Sequence, residues 1–258
     1  MMFNRLLAAS ALALITAAGA SAQSYVSGSA GFSLLKDSDN VGALTREFTT
    51  GDGVAVPAGT VLASGTEIGW STEFDNGLFL AGAYGYRFSE KLRGEFEISY
   101  VSNDVDGHAD VTAGGGALGG ADAAALITGS APLGVTIADL VADGQGDVTT
   151  TAYALNLYYD FDFDDAPLDF YAGAGVGLAD VSVDFSPSGV VIIDDSETVS
   201  LFQLMFGASF PLSDKTEAFG GYRYRMTGDV GTDASLFPTS LDIENNSHVL
   251  EAGIRFHF

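Results

Sequence analysis

The chain returns about eight times to one short pattern, with oily residues at every second position and small, polar or charged ones between them. A period of two is the mark of a β-strand, because successive side chains point to opposite faces of the pleat. The last stretch, Ser247 to Phe258, is the plainest. His248, Leu250, Ala252, Ile254, Phe256 and Phe258 share one face; Val249, Glu251, Gly253, Arg255 and His257 share the other. The same alternation runs through Tyr25 to Leu34, Leu78 to Phe88, Leu92 to Tyr100, Thr151 to Phe163, Leu168 to Leu178, Phe202 to Phe210 and Ala218 to Met226. Such strands suit a soluble sandwich with its charged face in water. They equally suit a membrane barrel with its oily face on lipid and its charged face inside.

The connections separate the two. Links after the first, third, fifth and seventh stretches are long or medium: Lys36 to Asn76, Asn103 to Val148, Ser186 to Ser196 and Gly228 to Asn246. The intervening links, such as Ser89 to Lys91 and Asp164 to Pro167, are short turns. A sandwich has no reason to sort loop length by side, whereas membrane barrels have short periplasmic turns and longer extracellular loops. At ~3.3 Å per residue and ~40° tilt, about eleven residues rise ~28 Å, enough for an apolar band of ~25 Å. The expected fold is all-β: a closed antiparallel up-and-down transmembrane β-barrel of about eight strands, with long extracellular loops and both mature ends on the periplasmic side.

The first residues set the compartment. Met1 to Arg5 carry one positive charge, Leu6 to Ala18 are apolar but too few to span a bilayer, and Ala20-Ser21-Ala22 is a small-x-small cleavage site. Residues 1–22 therefore read as a signal peptide and 23–258 as the barrel domain, exported to the outer membrane of a Gram-negative bacterium. The sequence has no Cys, which excludes disulfides, thiol chemistry and Cys-ligated metals. A formal net charge of −24 argues against nucleic acid as a partner and against a basic patch for anionic lipid.

Parity sends an unusual set of charges inward: Arg87, Arg93, Glu95, Glu97, Asp160, Asp162, Asp169, Arg223, Arg225, Glu251 and Arg255. Lys36, Lys91 and Lys215 fall in turns or loops instead. Arginine pairs bidentately with carboxylates and suits charges taken out of bulk water. A lumen of about eight strands is just wide enough to be filled by side chains. The expectation is a salt-bridged plug of Arg87, Arg93, Glu95, Glu97, Arg223, Arg225, Glu251 and Arg255 rather than a channel lining. Glu251 and Arg223 should be neighbours, Glu97 should reach Arg225 across the lumen, and Glu95 and Arg255 should lie at similar depth.

The histidines invite an enzyme reading. His108 lies in an acidic loop, His257 at the periplasmic mouth, and His248 beside Ser247 and near Glu244 at an outer strand end. A rim hydrolase needs a paired nucleophile, but His248 has lipid-facing parity and no nucleophile context stands beside it. No enzyme activity and no catalytic residue are expected. In the long loop from Asn103 to Val148, Ala121 to Thr128 and Ile137 to Ala142 read as either short helices or oily tips. The loops carry Asp37, Asp39, Asp52, Asp104, Asp106, Asp110, Asp194, Asp195, Asp229 and Asp233 against the basic Lys36 and Arg46. None matches a spaced calcium loop, so neither a metal site nor a cofactor is expected.

The stretches Leu78-Phe-Leu-Ala-Gly-Ala-Tyr-Gly-Tyr-Arg-Phe88, Leu92-Arg-Gly-Glu-Phe-Glu-Ile-Ser-Tyr100 and Gly220-Gly-Tyr-Arg-Tyr-Arg225, with the terminal strand, resemble the opacity-like surface-antigen barrels of Gram-negative bacteria. Those are similar in architecture to the outer-membrane protein A barrel. The resemblance covers the strands, under half of the mature chain, and none of the loops. It implies an eight-stranded barrel in the outer membrane whose surface loops contact a host or a neighbouring cell. It also implies that Phe258, with Phe256 in phase, is read by the outer-membrane assembly machinery. The expected function is that of a monomeric surface or structural protein, an adhesin or surface antigen. Its partners would be outer-membrane lipid, the assembly machinery and a host or neighbouring-cell surface ligand met through acidic loops. A narrow porin-like channel or transporter for small solutes is the alternative, and an outer-membrane hydrolase the third reading. Deleting Phe258 should lower the amount of folded barrel recovered from the outer membrane; unchanged insertion kinetics and yield would remove its assembly role.

Overall fold

A computed structural model describes residues 24–50, 59–128, 131, 133–142, 144–161, 168–234 and 238–258. The expected signal peptide and Gln23 lie outside the described residues, as do Asp52, Asp162 and the turn at 164–167. The strands, in chain order, are β1 (Ser24–Leu35), β2 (Ser38–Leu44), β3 (Phe48–Thr49), β4 (Val61–Leu62), β5 (Glu67–Phe74), β6 (Gly77–Arg87), β7 (Leu92–Ala113), β8 (Gly116–Ala117), β9 (Gly146–Phe161), β10 (Asp169–Phe185), β11 (Ile193–Ser213), β12 (Thr216–Thr227), β13 (Val230–Asp233), β14 (Thr239–Ile243) and β15 (Ser247–His257). Two short helices, Ala123–Thr128 and Ile137–Val141, lie between β8 and β9. The second starts with a reciprocal cap, in which Thr136 Oγ1 accepts from Asp139 N and Asp139 Oδ2 accepts from Thr136 N.

Eight of the strands close a ring. β1 pairs with β6, β6 with β7, β7 with β9, and so on through β10, β11, β12 and β15, which returns to β1, every pair antiparallel. Closure leaves the lower ring no edge, so every ladder group is paired within the protein, as a lipid environment demands. Parity is as the alternation implies: on β1, Phe32 is 69% exposed and its neighbour Ser33 is fully buried. Leu80, Leu155, Val176, Phe206 and Ile254 all stand outward. Aromatic pairs girdle the end with the short turns, namely Tyr86–Phe88, Tyr159–Phe161 and Phe256–Phe258. Farther up, Tyr222 and Tyr224 stack on His248. An oily band between two aromatic belts is the surface of a lipid-embedded barrel. Among the described residues no helix is long and apolar enough to cross a membrane.

The long connections are not plain loops. β7, β9, β10 and β11 run on past the oily band, and β5, β2, β14 and β13 add to the β7 edge in that order. β13 then comes back to β11 through side chains: Gly231 N donates to Glu197 Oε2 at 2.6 Å and Asp233 N to Asp195 Oδ2 at 3.4 Å. The result is a second storey of eight strands, closed by backbone everywhere but at this seam. Above Tyr100, Tyr153, Leu178 and Phe202 the outward positions turn polar, at Ser102, Thr151, Asp180 and Ser200. The inward positions turn oily at the same height. Val105, Val148, Val181, Val183, Phe185, Ile193, Val230, Leu241 and Ile243 form one buried cluster with Ile68 and Trp70.

His108, expected in a loop, lies on β7 and points into this cluster. Irregular pairing of β5 with β7 shifts the parity by one residue after Val105. His108 Nδ1 is 2.8 Å from Thr72 Oγ1, which also accepts from Asn40 Nδ2 at 2.7 Å.

On the outside of the same storey, Asp104, Asp147, Asp184 and Asp194 are direct partners across β7, β9, β10 and β11. Like charges placed directly opposite are destabilising. Partial burial first, and then Asp184 and Asp104, raise the pKa of the Asp147 carboxyl. A carboxylate whose folded pKa is raised costs stability at neutral pH, and the cost disappears as the pH falls through that pKa toward the ordinary value near ~4. The storey should therefore gain stability on mild acidification. Asp147→Asn should raise its stability at neutral pH and flatten the pH dependence, read from the unfolding of Trp70 fluorescence.

Candidate functional site

The lumen of the lower ring is filled by side chains in layers. Nearest the short turns, Arg87 bonds Asp160 at 3.0 Å and Glu217 at 3.2 Å, while Glu217 also takes Arg255 and lies 3.1 Å from His257. One layer up, Arg93 pairs with Glu95 at 2.9 Å and with Asp160 at 3.0 Å. Its guanidinium lies 4.0 Å over the Tyr158 ring, and the Tyr25 hydroxyl donates to Glu95 at 2.9 Å. These rings fit because the facing strands carry glycine. A Cβ at Gly85 would strike the Tyr25 ring and one at Gly173 the Tyr158 ring.

The third layer is held by Arg223, which bonds Glu97 on the opposite wall and Glu251 on the next strand, the latter at 2.9 Å. Asn156 Nδ2 donates to Glu97 at 3.1 Å, Gln203 Nε2 donates to Asn156 Oδ1 at 2.7 Å, and Ser29 Oγ donates to Glu251 at 2.7 Å. Desolvating these ions is costly, and this density of partners offsets the cost. Four arginines (87, 93, 223 and 255) are ion-paired with five carboxylates (95, 97, 160, 217 and 251), and the buried Arg225, paired with none of them, brings the formal charge of the lumen to balance. A void beside these layers, lined by Arg93, Glu95, Glu97, Tyr158, Arg223 and Glu251 among others, is about 20 Å³, room for little more than a water.

The expected partnerships are met in part. Arg223 and Glu251 do pair. Glu97 pairs with Arg223 instead of Arg225, because Gln203 and Asn156 fix its carboxylate at the level of Arg223. Two residues farther along β12, a step of ~7 Å, Arg225 is buried beside Phe79, Val101 and Val249. Its guanidinium is 5.9 Å from the Phe79 ring centre, and none of the described carboxylates is within ion-pair reach. Glu95 and Arg255 are not partners; each has a nearer counter-ion. Asp169 is exposed at the mouth rather than part of the network.

Glu217 is the member that the reading of the sequence missed. Stepping back by twos from Arg225 through Arg223 would have reached it, but it sits at the start of β12, where the Lys215 turn obscures the alternation. At the outer rim, Ser247 is buried inside while His248 stands outside, so the two are on opposite faces of β15. His248 Nδ1 is 2.6 Å from the Tyr222 hydroxyl. Phe256 faces outward, and Phe258 N donates to Ser24 O at 3.1 Å, tying the last residue to β1. Among the described residues no group of His, Asp and Glu converges as metal ligands.

The family model for the outer membrane protein beta-barrel domain matches residues 6–256. No curated protein matches the chain by sequence. Among solved structures, it is similar to Neisserial surface protein A at 19% identity, covering 93% of this chain and 100% of that one with a TM-score of 0.46. It is similar also to the outer membrane protein OprG of Pseudomonas aeruginosa, at 13% identity over 93% and 99% of the two chains, TM-score 0.45. A third is the outer membrane protease OmpT of Escherichia coli, at 7% identity over 91% and 97%, TM-score 0.40. The match along nearly the whole chain, on a closed ring with an oily outer band, has one meaning: the chain belongs to the outer membrane protein beta-barrel domain family.

Proposed function

We propose that this outer-membrane barrel is a surface protein, an adhesin or antigen that meets a host or neighbouring cell through its outer storey, and that its lumen does not conduct. The observation that carries this reading is the unbroken stack of ion-paired layers between Arg87 and Arg223. An ion crossing it would have to displace paired charges from one another in a confined space. Above the lipid band the chain builds a second storey, whose outer face is acidic.

Purified protein in planar bilayers should therefore show no steady conductance. Removing one partner of a buried pair strands the other, at ~3–5 kcal/mol. Glu251→Ala should destabilise the barrel or open a leak, and adding Arg223→Ala should recover part of that loss. A large, stable, ion-selective conductance in the unmodified protein would promote the narrow pore in its place.

The acidic storey bears on the partner. Cells displaying the protein should retain a cationic peptide at low salt and release it as salt rises, since screening shortens the reach of exposed charges to ~8 Å at physiological strength. Retention of a polyanion, undiminished at high salt, would contradict an electrostatic role for these acids.

A further inference from the structure

We propose that the outer storey contains a binding site for a small neutral aromatic molecule. Inside it lies a cavity of about 100 Å³, walled by Leu44, Ile68, Trp70, Val111, Ile137 and Phe185, with a wholly apolar accessible wall. The two polar side chains at its margin are already engaged: His108 Nδ1 is 2.8 Å from Thr72 Oγ1 and its ring lies edge-on to Phe185, ring centroids 4.8 Å apart, while Thr50 Oγ1 donates to Thr60 O at 3.3 Å. Aspartates crowd the outer face of the same strands, yet no charged side chain lines the cavity.

Protein interiors rarely leave voids larger than a water molecule. A void without polar atoms gives water no partners, and an apolar cavity of ~150 Å³ stays dry yet takes up benzene or xenon. The volume here therefore fits one ring with a short substituent and excludes an extended acyl chain. Ring edges and faces from Trp70, Phe185 and Phe48 on its wall favour an aromatic guest through offset and edge-to-face contacts.

The way in is from outside. Phe48 and Leu62, on the small β3–β4 hairpin, and Leu140, on the second helix, line the cavity and are part-exposed, whereas Ile68, Ile137 and Phe185 are buried. Among the described residues β3 and β4 pair only with each other, so no ladder ties this hairpin to the storey. The proposal goes beyond the surface role and stands on the storey alone, whether or not the lumen below conducts ions.

The test uses the full-length folded protein in lipid nanodiscs with toluene as probe. Trp70 is the single tryptophan of the chain, so its emission reports from the cavity wall. Toluene should change that emission saturably, and benzoate, the same ring with a charge, should not. Val111→Phe and Ala113→Leu, each filling the cavity, should abolish the saturable change while keeping the β-sheet circular dichroism of the wild type. Independently of any variant, nuclear Overhauser contacts should connect toluene ring protons to the Trp70 indole. A change that is only linear in toluene and equal in wild type and filled variants would overturn the proposal as partition into lipid. The absence of contacts to the indole at saturating toluene would overturn it as well.

Discussion

An arginine inside an eight-stranded barrel has no water to retreat to, and Arg223 shows what the chain does instead. Its guanidinium joins Glu97 on the far wall to Glu251 on the neighbouring strand. Arg87 and Arg255 do the same with Glu217, and Arg93 and Arg87 share Asp160. These bonds cross the lumen among β6, β7, β9, β12 and β15, so they brace the ring from within. The bracing matters because lipid is as apolar as leucine, and the oily band supplies little drive to hold strands together. What remains is the closed backbone ladder and the contents of the lumen.

The same strands then meet a different solvent. Beyond the lipid band the outside is water, and the pattern inverts without a break in pairing. On β10, Val176 and Leu178 face out, while Val181, Val183 and Phe185 face in, with Asp180, Ser182 and Asp184 between them on the outer face. A strand that is oily outside and polar inside becomes one that is polar outside and oily inside. The layer of Phe79, Val101 and Val249, with Arg225 beside it, lies between the two regimes.

This inversion explains what the sequence reveals and what it hides. The lower ring is legible because each strand keeps one phase, and the inward charges follow by counting. At the inversion the oily residues change phase, as from Leu178 to Val181, and a phase change resembles the end of a strand. The upper half of β7 and the outermost residues of β9 and β11 therefore read as parts of long links, and the alternation on β10 is followed only as far as Leu178. Local chemistry survives better: both short helices are visible as oily runs, and Thr136 and Asp139 stand at cap spacing. Depth is harder, because strand tilt staggers the register of a barrel. Counting from strand ends therefore assigns Glu97 to Arg225, when it is Arg223 that lies level with it. His108 is lost for a related reason, since irregular pairing within β7 changes parity in a way no alternation shows.

The two interiors also differ in how firmly they fix one arrangement. In the lower lumen the bonds are directional and mutually dependent; Gln203, Asn156, Glu97 and Arg223 each satisfy one another. The side chains converge there, although Arg93 Nη2, Arg255 Nε and two nitrogens of Arg225 are buried without a hydrogen-bond partner among the described residues. The upper storey is held by burial, which has no direction and tolerates imperfect filling. Its ring is completed by side chains at the β11–β13 seam, and the β3–β4 hairpin adds no ladder bonds to the rest. Regions with few ladder bonds and a loosely filled core are those that open at low free energy. A motion that admits a guest or reshapes the outward face thus has its place above the lipid band, on a base that the ion pairs keep still.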